Sequence, residues 1–211
     1  ADADVAEAID YLDYYAHQML ELAGNRPLAH IYGENNEYFY IPLGVVAVIP
    51  PWNFPLAILT GMTVAAVVTG NTVILKPASD SPMMGYLFMD IMREAGLPDG
   101  VINFLPGSGG SLGSHLVKHP KIRMIAFTGS KDVGVWIYEE AAKVRPGQKW
   151  LKRVIAEMGG KDAIIVDNEI DEKDIPFIAN QIIVSAYGYQ GQKCSAASRL
   201  IIVEDVYDKI L

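Results

Sequence analysis

The chain has 211 residues, 51% of them hydrophobic, which is enough for a substantial buried core in one or two domains. Its net charge of −8, from 17 basic and 25 acidic side chains, argues against nucleic acid or an anionic membrane as main partner and leaves room for a local basic site that takes a phosphate-bearing cofactor. No apolar run reaches the roughly 18 residues of a membrane span, and the acidic start Ala1-Asp2-Ala3-Asp4 reads as helix, not as a targeting leader.

Residues 1–24 predict an amphipathic helix. Its packed stripe is Val5, Ile9, Leu12, Ala16, Met19 and Leu22 or Ala23, and Gly24 closes it. Residues 25–42, with Pro27, Gly33 and Pro42 around Glu37-Tyr38-Phe39-Tyr40-Ile41, predict an exposed strand or hairpin outside the main core. From Gly44 onward, β-branched strands at 45–49, 72–75, 101–104 and 124–127 alternate with helices at 56–69, 82–95, 110–118 and 131–143. Such alternation, with nearly continuous apolar strands, predicts an α/β fold on a doubly wound, mainly parallel sheet. A second block follows: strands at 153–157 and 163–166, an acidic loop at 167–174, a helix at 175–187, and a strand at 199–203. A composition shift near Gly159-Gly160 sets the expected domain boundary.

Ligands of an open parallel sheet bind beyond the carboxyl ends of its strands, so the strand-to-helix loops are the candidate sites. The first loop, Pro50-Pro51-Trp52-Asn53-Phe54-Pro55, is stiffened by proline and presents Asn53 either as a ligand donor or as a turn residue. The second places Lys76 before Pro77, where it either reaches a ribose or phosphate or is a solvated surface lysine. The third, Pro106-Gly107-Ser108-Gly109-Gly110-Ser111-Leu112-Gly113, is glycine-rich without matching a dinucleotide fingerprint. The fourth, Phe127-Thr128-Gly129-Ser130, places Ser130 at a helix N-cap, where free amides suit a pyrophosphate and capping alone also explains the serine.

Glu157 ends an apolar run and precedes Gly159-Gly160. Partial burial would raise its pKa and fit it for general-base work, and a salt bridge to Lys161 is the plain alternative. His115 and His119 are four apart, but no acid completes a zinc pattern, so no metal is expected there. Cys194 is the only cysteine. A lone thiol forms no internal disulfide and no multi-cysteine metal site. It is an inert core residue, an incidental surface thiol, a redox sensor or a nucleophile, and one cysteine in this setting implies a reducing, cytoplasmic compartment.

Five motifs in order, PWNFP at 51–55, KPAS at 76–79, FTGS at 127–130, EMGGK at 157–161 and GQKCSA at 191–196, resemble those of the aldehyde dehydrogenase superfamily. Within it, GENNEYFYIPLGVVAVIPPWNFP and SAYGYQGQKCSAASRLI are most similar to the branch of 1-pyrroline-5-carboxylate (glutamate semialdehyde) dehydrogenases. Many superfamily members have a lysine where this chain has Met62, and a ribose-gripping glutamate where it has Ser79.

The resemblance implies a Rossmann-like dinucleotide-binding domain at 1–24 and 43–159, an oligomerisation arm at 25–42, and the beginning of a second, α/β catalytic domain at 160–211. It thus implies a central piece of a longer protein, with a bifunctional proline-oxidising parent as one option. Implied catalytic residues are the nucleophile Cys194, the general base Glu157 and the oxyanion donor Asn53, with Ser195 touching substrate. Implied cofactor-binding residues are Ile49, Pro50, Trp52, Lys76, Ser79, Gly109, Gly113, Gly129, Ser130 and Val133. The cofactor would be NAD, with NADP tolerated because Ser79 carries no charge to repel a 2′-phosphate. The implied partners are a small-molecule aldehyde and, in the full-length protein, further copies of itself; neither nucleic acid nor membrane is implied. A non-catalytic dinucleotide-binding or assembly module would keep the glycine loop and FTGS but has no need of Cys194, Asn53 and Glu157 together.

Overall fold

The computed structural model describes residues 1–24 and 26–211; Asn25, the first residue of the 25–42 segment, lies outside the described residues. The chain divides into two compact units, residues 1–157 and 158–211.

The first unit is built on five parallel strands: β1 (Val45–Ile49), β2 (Thr72–Leu75), β3 (Ile102–Phe104), β4 (Ile122–Thr128) and β5 (Arg153–Glu157). Their order is β3-β2-β1-β4-β5. Registers such as Val48↔Leu75, Ile49↔Phe127 and Thr128↔Glu157 bring the carboxyl ends of neighbouring strands level. The run Val45-Val46-Ala47-Val48-Ile49 lies at the centre because it can be buried on both faces: Val46, Ala47 and Val48 are all buried although consecutive side chains point to opposite sides. The strands step outward from β1 to β3, then resume on the other side of β1 with β4 and β5. The gap between β1 and β4 is therefore the topological switch point, where open α/β sheets take their ligands.

The helices of this unit are α1 (Asp2–Ala23), α2 (Ala57–Val68), α3 (Pro82–Glu94), α4 (Ser114–Lys118) and α5 (Lys131–Ala142). The core joins Val46, Val48, Leu59, Val64, Val73, Leu75, Phe88, Ile102 and Ala126 from four strands and two helices. Helix α1 is where predicted, but its packed stripe differs. Val5, Ile9, Leu12 and Ala16 are exposed, while Ala8 is buried and Asp4, Tyr11 and Tyr15 are half-buried; only Met19 and Leu22 of the expected stripe are half-buried as predicted. Gly61 of α2 explains the rotation, because a β-carbon there would lie 2.9 Å from the Tyr11 ring. The bare backbone admits the tyrosine face, and aromatic area outweighs the aliphatic stripe.

Two further expectations are corrected. Residues 110–118 do not form one helix: a π-helical turn at Gly109–Gly113 precedes α4, with the Leu112 and Gly113 amides both donating to the Ser108 carbonyl at 3.0 and 3.2 Å. Glycines at 109, 110 and 113 permit this wide turn. Residues 26–42 are exposed as expected, yet hold neither strand nor hairpin; the alternating aromatics have no described partner strand to pair with.

The second unit contains β6 (Asp162–Val166), α6 (Ile175–Tyr187), β7 (Ala197–Ile202) and α7 (Glu204–Ile210). β6 and β7 pair in parallel, so β6–α6–β7 is a crossover unit. Its core is small: Val166, Val206 and Ile210, with Ile164, Ile175, Ile178, Ile182 and Ile202 packed on them.

Candidate active site

The carboxyl edge of the five-stranded sheet carries the motif loops in spatial order. The glycine loop follows β3, Lys76 follows β2, Asn53 follows β1, Gly129-Ser130 follows β4, and Glu157 ends β5. Adjacent strands are spaced by about 4.8 Å, so Asn53, Ser130 and Glu157 belong to three consecutive strand ends beside the switch point.

The loop after β1 is anchored at both ends. Ile49 is half-buried and pairs in register with Phe127, and Pro50 and Pro51 are buried. Trp52 is exposed and Asn53 half-buried. On the far side, the Leu56 and Ala57 amides donate to the two carboxylate oxygens of Asp4, at 3.2 and 3.0 Å. The first turn of α2 is thus capped by a carboxylate from α1 and not by the half-buried Leu56 at its own N-cap.

Lys76 is not the solvated lysine that one reading allowed. It is 3% exposed, its Nζ donates to the Pro77 carbonyl at 2.9 Å, and burial pulls its pKa below the ordinary lysine value. Gly113, at the end of the π turn, is buried beside it, its β-carbon position 3.7 Å from Lys76 Cε. Lys76 thus packs against Gly113 at the end of the glycine loop, whereas Ser79, at a turn closed by Ser81 N to Ala78 O, and Gly109 are exposed.

At β4, Gly129 has no room for a side chain: a β-carbon would lie 2.6 Å from the Phe127 ring. Its amide donates to the Glu157 carbonyl at 3.0 Å, tying the FTGS loop to the end of β5. Ser130 is the N-cap of α5 yet makes no side-chain capping bond, and Val133 stands exposed in the next turn. Met62 accepts the Thr128 hydroxyl on its sulfur at 3.6 Å. Glu157 departs from expectation. Its side chain is exposed, because the alternation of β5 sets it on the same face as Arg153 and Ile155, with Val154 and Ala156 on the half-buried side.

Cys194 and Ser195 belong to the second unit. They are the two corner residues of a turn closed by Ala196 N to Lys193 O at 3.2 Å, just before β7, and both are exposed. This removes the buried, inert reading of the thiol. The chain enters the turn through three successive left-handed residues, Tyr189 (φ 57°), Gln190 (φ 59°) and Gly191 (φ 67°). Only the last is a residue to which that conformation comes without steric cost. Gly160 backs the turn, since a β-carbon there would lie 2.5 Å from the Cys194 carbonyl oxygen.

The histidine pair has ring centroids 5.4 Å apart, and His119 Nδ1 accepts the Lys121 amide. Burial first, then the charges of His115, Lys121 and Lys152, lower the His119 pKa. Among the described residues, no group of three His, Cys, Asp or Glu side chains could hold a metal ion, and no helix is long and apolar enough to cross a membrane.

The aldehyde dehydrogenase family model matches residues 1–211. The chain belongs to the aldehyde dehydrogenase family. Among its curated relatives are the 1-pyrroline-5-carboxylate dehydrogenases of Geobacillus thermodenitrificans, 62% identical, and Bacillus mycoides, 59% identical, each over all of this chain. The chain spans 40% of the length of those two relatives. A 1-pyrroline-5-carboxylate dehydrogenase from Thermus, solved with bound NAD, superposes with a TM-score of 0.91 at 54% identity, over 99% of this chain and 40% of that one. Proline utilization A from Bdellovibrio bacteriovorus superposes with a TM-score of 0.92 at 51% identity, over 99% of this chain and 22% of the larger protein.

Two side chains escaped the sequence reading, one beside the site and one at the opposite, amino edge of the sheet. Asp4 looks like an ordinary first-turn acid, and no local pattern announces that it caps a helix more than fifty positions away. Asn71 precedes β2, and its Oδ1 accepts the Leu43 and Gly44 amides at 2.7 and 3.0 Å while Nδ2 donates to Ala66 O and Thr69 Oγ1. An Asn between Gly70 and a strand is a turn signal, which is as far as sequence alone goes.

Proposed function

We propose that this chain supplies the cofactor cradle, nucleophile, oxyanion donor and general base of an NAD-dependent oxidation of an aldehyde to its carboxylic acid. The substrate is L-glutamate γ-semialdehyde, formed from 1-pyrroline-5-carboxylate, and the product is L-glutamate. The observation that carries the reading is the gathering of the PWNFP loop, the FTGS loop and Glu157 on consecutive strand ends at the switch point, in a chain that also presents its one thiol on an exposed turn. Relatives about 60% identical to this chain, which are 1-pyrroline-5-carboxylate dehydrogenases, support that choice of substrate.

The residues fit a dinucleotide. Ser130 heads a twelve-residue helix with its hydroxyl uncommitted to capping, Gly129 excludes a side chain, and Lys76 is held buried against Gly113. Lys76 and Ser79 serve a ribose, Gly129, Ser130 and Val133 the pyrophosphate side, Gly109 and Gly113 the glycine-loop side, and Ile49, Pro50 and Trp52 the nicotinamide end. The neutral, exposed Ser79 admits NADP beside NAD. When bound, the cofactor supplies a hydride acceptor.

Cys194 Sγ, as thiolate, bonds to the aldehyde carbon, and the carbonyl electrons move to oxygen. The Asn53 side-chain amide and the Cys194 backbone amide stabilise that oxyanion. Removing one such donor typically costs about 100- to 1000-fold in turnover. Loss of hydride from the same carbon leaves a thioester on Cys194. Glu157 takes a proton from water, hydroxide adds to the thioester carbon, and the thiolate leaves with release of the acid. The exposed carboxylate of Glu157 is open to that water. The full-length protein works as a homo-oligomer in the cytoplasm, with the exposed aromatics of 26–42 (Tyr32, Phe39) as assembly surface.

Rapid mixing of the complete polypeptide with glutamate semialdehyde and NAD tests the scheme. Glu157→Gln keeps a burst of NADH stoichiometric with sites while the steady-state rate falls by about 100-fold or more; Cys194→Ala shows neither phase. An unaltered steady state in Glu157→Gln would remove the base, and a burst in Cys194→Ala would remove the thioester.

A further inference from the structure

Asn53 can stabilise an oxyanion only if its amide is held where charge develops, so what fixes the loop that carries it matters to the rate. One side of that loop is secured by the buried Pro50 and Pro51. The other side is secured from outside its own segment. Asp4 Oδ2 accepts the Leu56 amide at 3.2 Å and Asp4 Oδ1 the Ala57 amide at 3.0 Å, so a single carboxylate takes two of the orphan donors at the start of α2. Phe54 O then accepts the Ile58 amide at 3.4 Å and Leu56 O the Thr60 amide at 2.8 Å, carrying that fixed geometry into the helix. Helix α1, which carries Asp4, is itself locked against α2 by the Tyr11 ring over Gly61.

We infer that Asp4 is a positioning residue for the oxyanion hole: through the first two amides of α2 it sets the place of Asn53, and so the rate at which Cys194 forms its tetrahedral adduct. The inference rests on the role proposed above for Asn53. Its signature is selective. Loss of Asp4 slows the step that develops the oxyanion, leaves NAD affinity in place, and adds nothing once Asn53 has been removed.

The test is a double-substitution cycle in the complete polypeptide, read as the NADH burst rate with saturating glutamate semialdehyde, alongside NAD affinity by fluorescence and thermal unfolding. Asp4→Ala slows the burst on the order of 10- to 100-fold, the effect of displacing a catalytic group by about 1 Å. Asp4→Asn, which keeps one acceptor oxygen, falls between it and the parent and serves as the decisive variant if the alanine form does not fold. In the Asn53→Ala background the Asp4 substitutions slow the burst no further. A burst within two-fold of the parent in Asp4→Asn and Asp4→Ala, or equal slowing with and without Asn53, overturns the inference and leaves the Asn53 role standing. A normal burst in Asn53→Ala alone overturns the oxyanion role itself, and the inference falls with it.

Discussion

A β-carbon on Gly160 would meet the carbonyl oxygen of Cys194 at 2.5 Å, and one on Gly159 would meet nothing within 4 Å. The obstacle at Gly160 is backbone, which cannot swing aside, so the alanine variant must move the turn that presents the thiol. Gly160→Ala is expected to cost about 1–3 kcal/mol, as overpacking does, and to change the alkylation rate of Cys194 by iodoacetamide. Gly159→Ala is expected to unfold with the parent and keep the parent's alkylation rate. Equal behaviour of the two variants would show that the turn is not braced by Gly160. The same turn carries stored strain: Tyr189 and Gln190 sit in the left-handed region, at roughly 1–2 kcal/mol each. At this scale the sequence was legible where composition singles a residue out, as it does a lone cysteine. It was not legible where burial decides. The run 153–156 suggested that Glu157 was sheltered, yet β5 is an edge strand and the face shared with Ile155 lies open. Nothing local marks Lys76 as buried either; Gly113, at the end of the π turn after β3, is one of the residues packed against its stem.

Between elements, Asn71 does for the entry of β1 what Asp4 does for the start of α2. It joins the last turn of α2 to the Leu43-Gly44 approach through four side-chain hydrogen bonds of 2.7–3.0 Å. Asn71→Ala leaves two amides, a carbonyl and a hydroxyl without that partner, around a side chain that is itself buried. The expected loss is about 2–4 kcal/mol, seen as a lower denaturant midpoint with unchanged slope; a loss under about 0.5 kcal/mol would show that water replaces the side chain. Strand and helix positions were readable because β-branched runs at 45–49 and 72–75 match β1 and β2 and the helix at 175–187 matches α6. What failed did so for tertiary reasons. Aliphatics at helical spacing mark the packed side of α1 near Met19 and Leu22 but not at Val5, Ile9 and Leu12, because a glycine on the opposing helix decides which side chains approach there. The alternation at 37–41 suggested a strand, but pairing requires a partner that no local pattern supplies.

The two units differ in how far each can stand alone. Residues 1–157 hold a five-stranded sheet whose central strand is covered on both faces, together with every residue proposed to bind the dinucleotide. Residues 158–211 bury only three apolar side chains of their core, while Ile165, Phe177 and Tyr187 stand 73%, 66% and 75% exposed. A segment this short seldom draws more than about 3–5 kcal/mol from a single core, and one with so little buried area falls below even that. Expressed separately, 1–157 is therefore expected to unfold in one cooperative transition and to be stabilised by NAD, by about 2.7 kcal/mol at a hundredfold excess over Kd. The 158–211 piece is expected to show no cooperative transition by near-ultraviolet circular dichroism. A 1–157 fragment that melts broadly and ignores NAD would place the binding energy outside this sheet. A sharp transition in 158–211 would show that the β6–α6–β7 crossover is a folding unit in its own right, which its exposed isoleucines argue against.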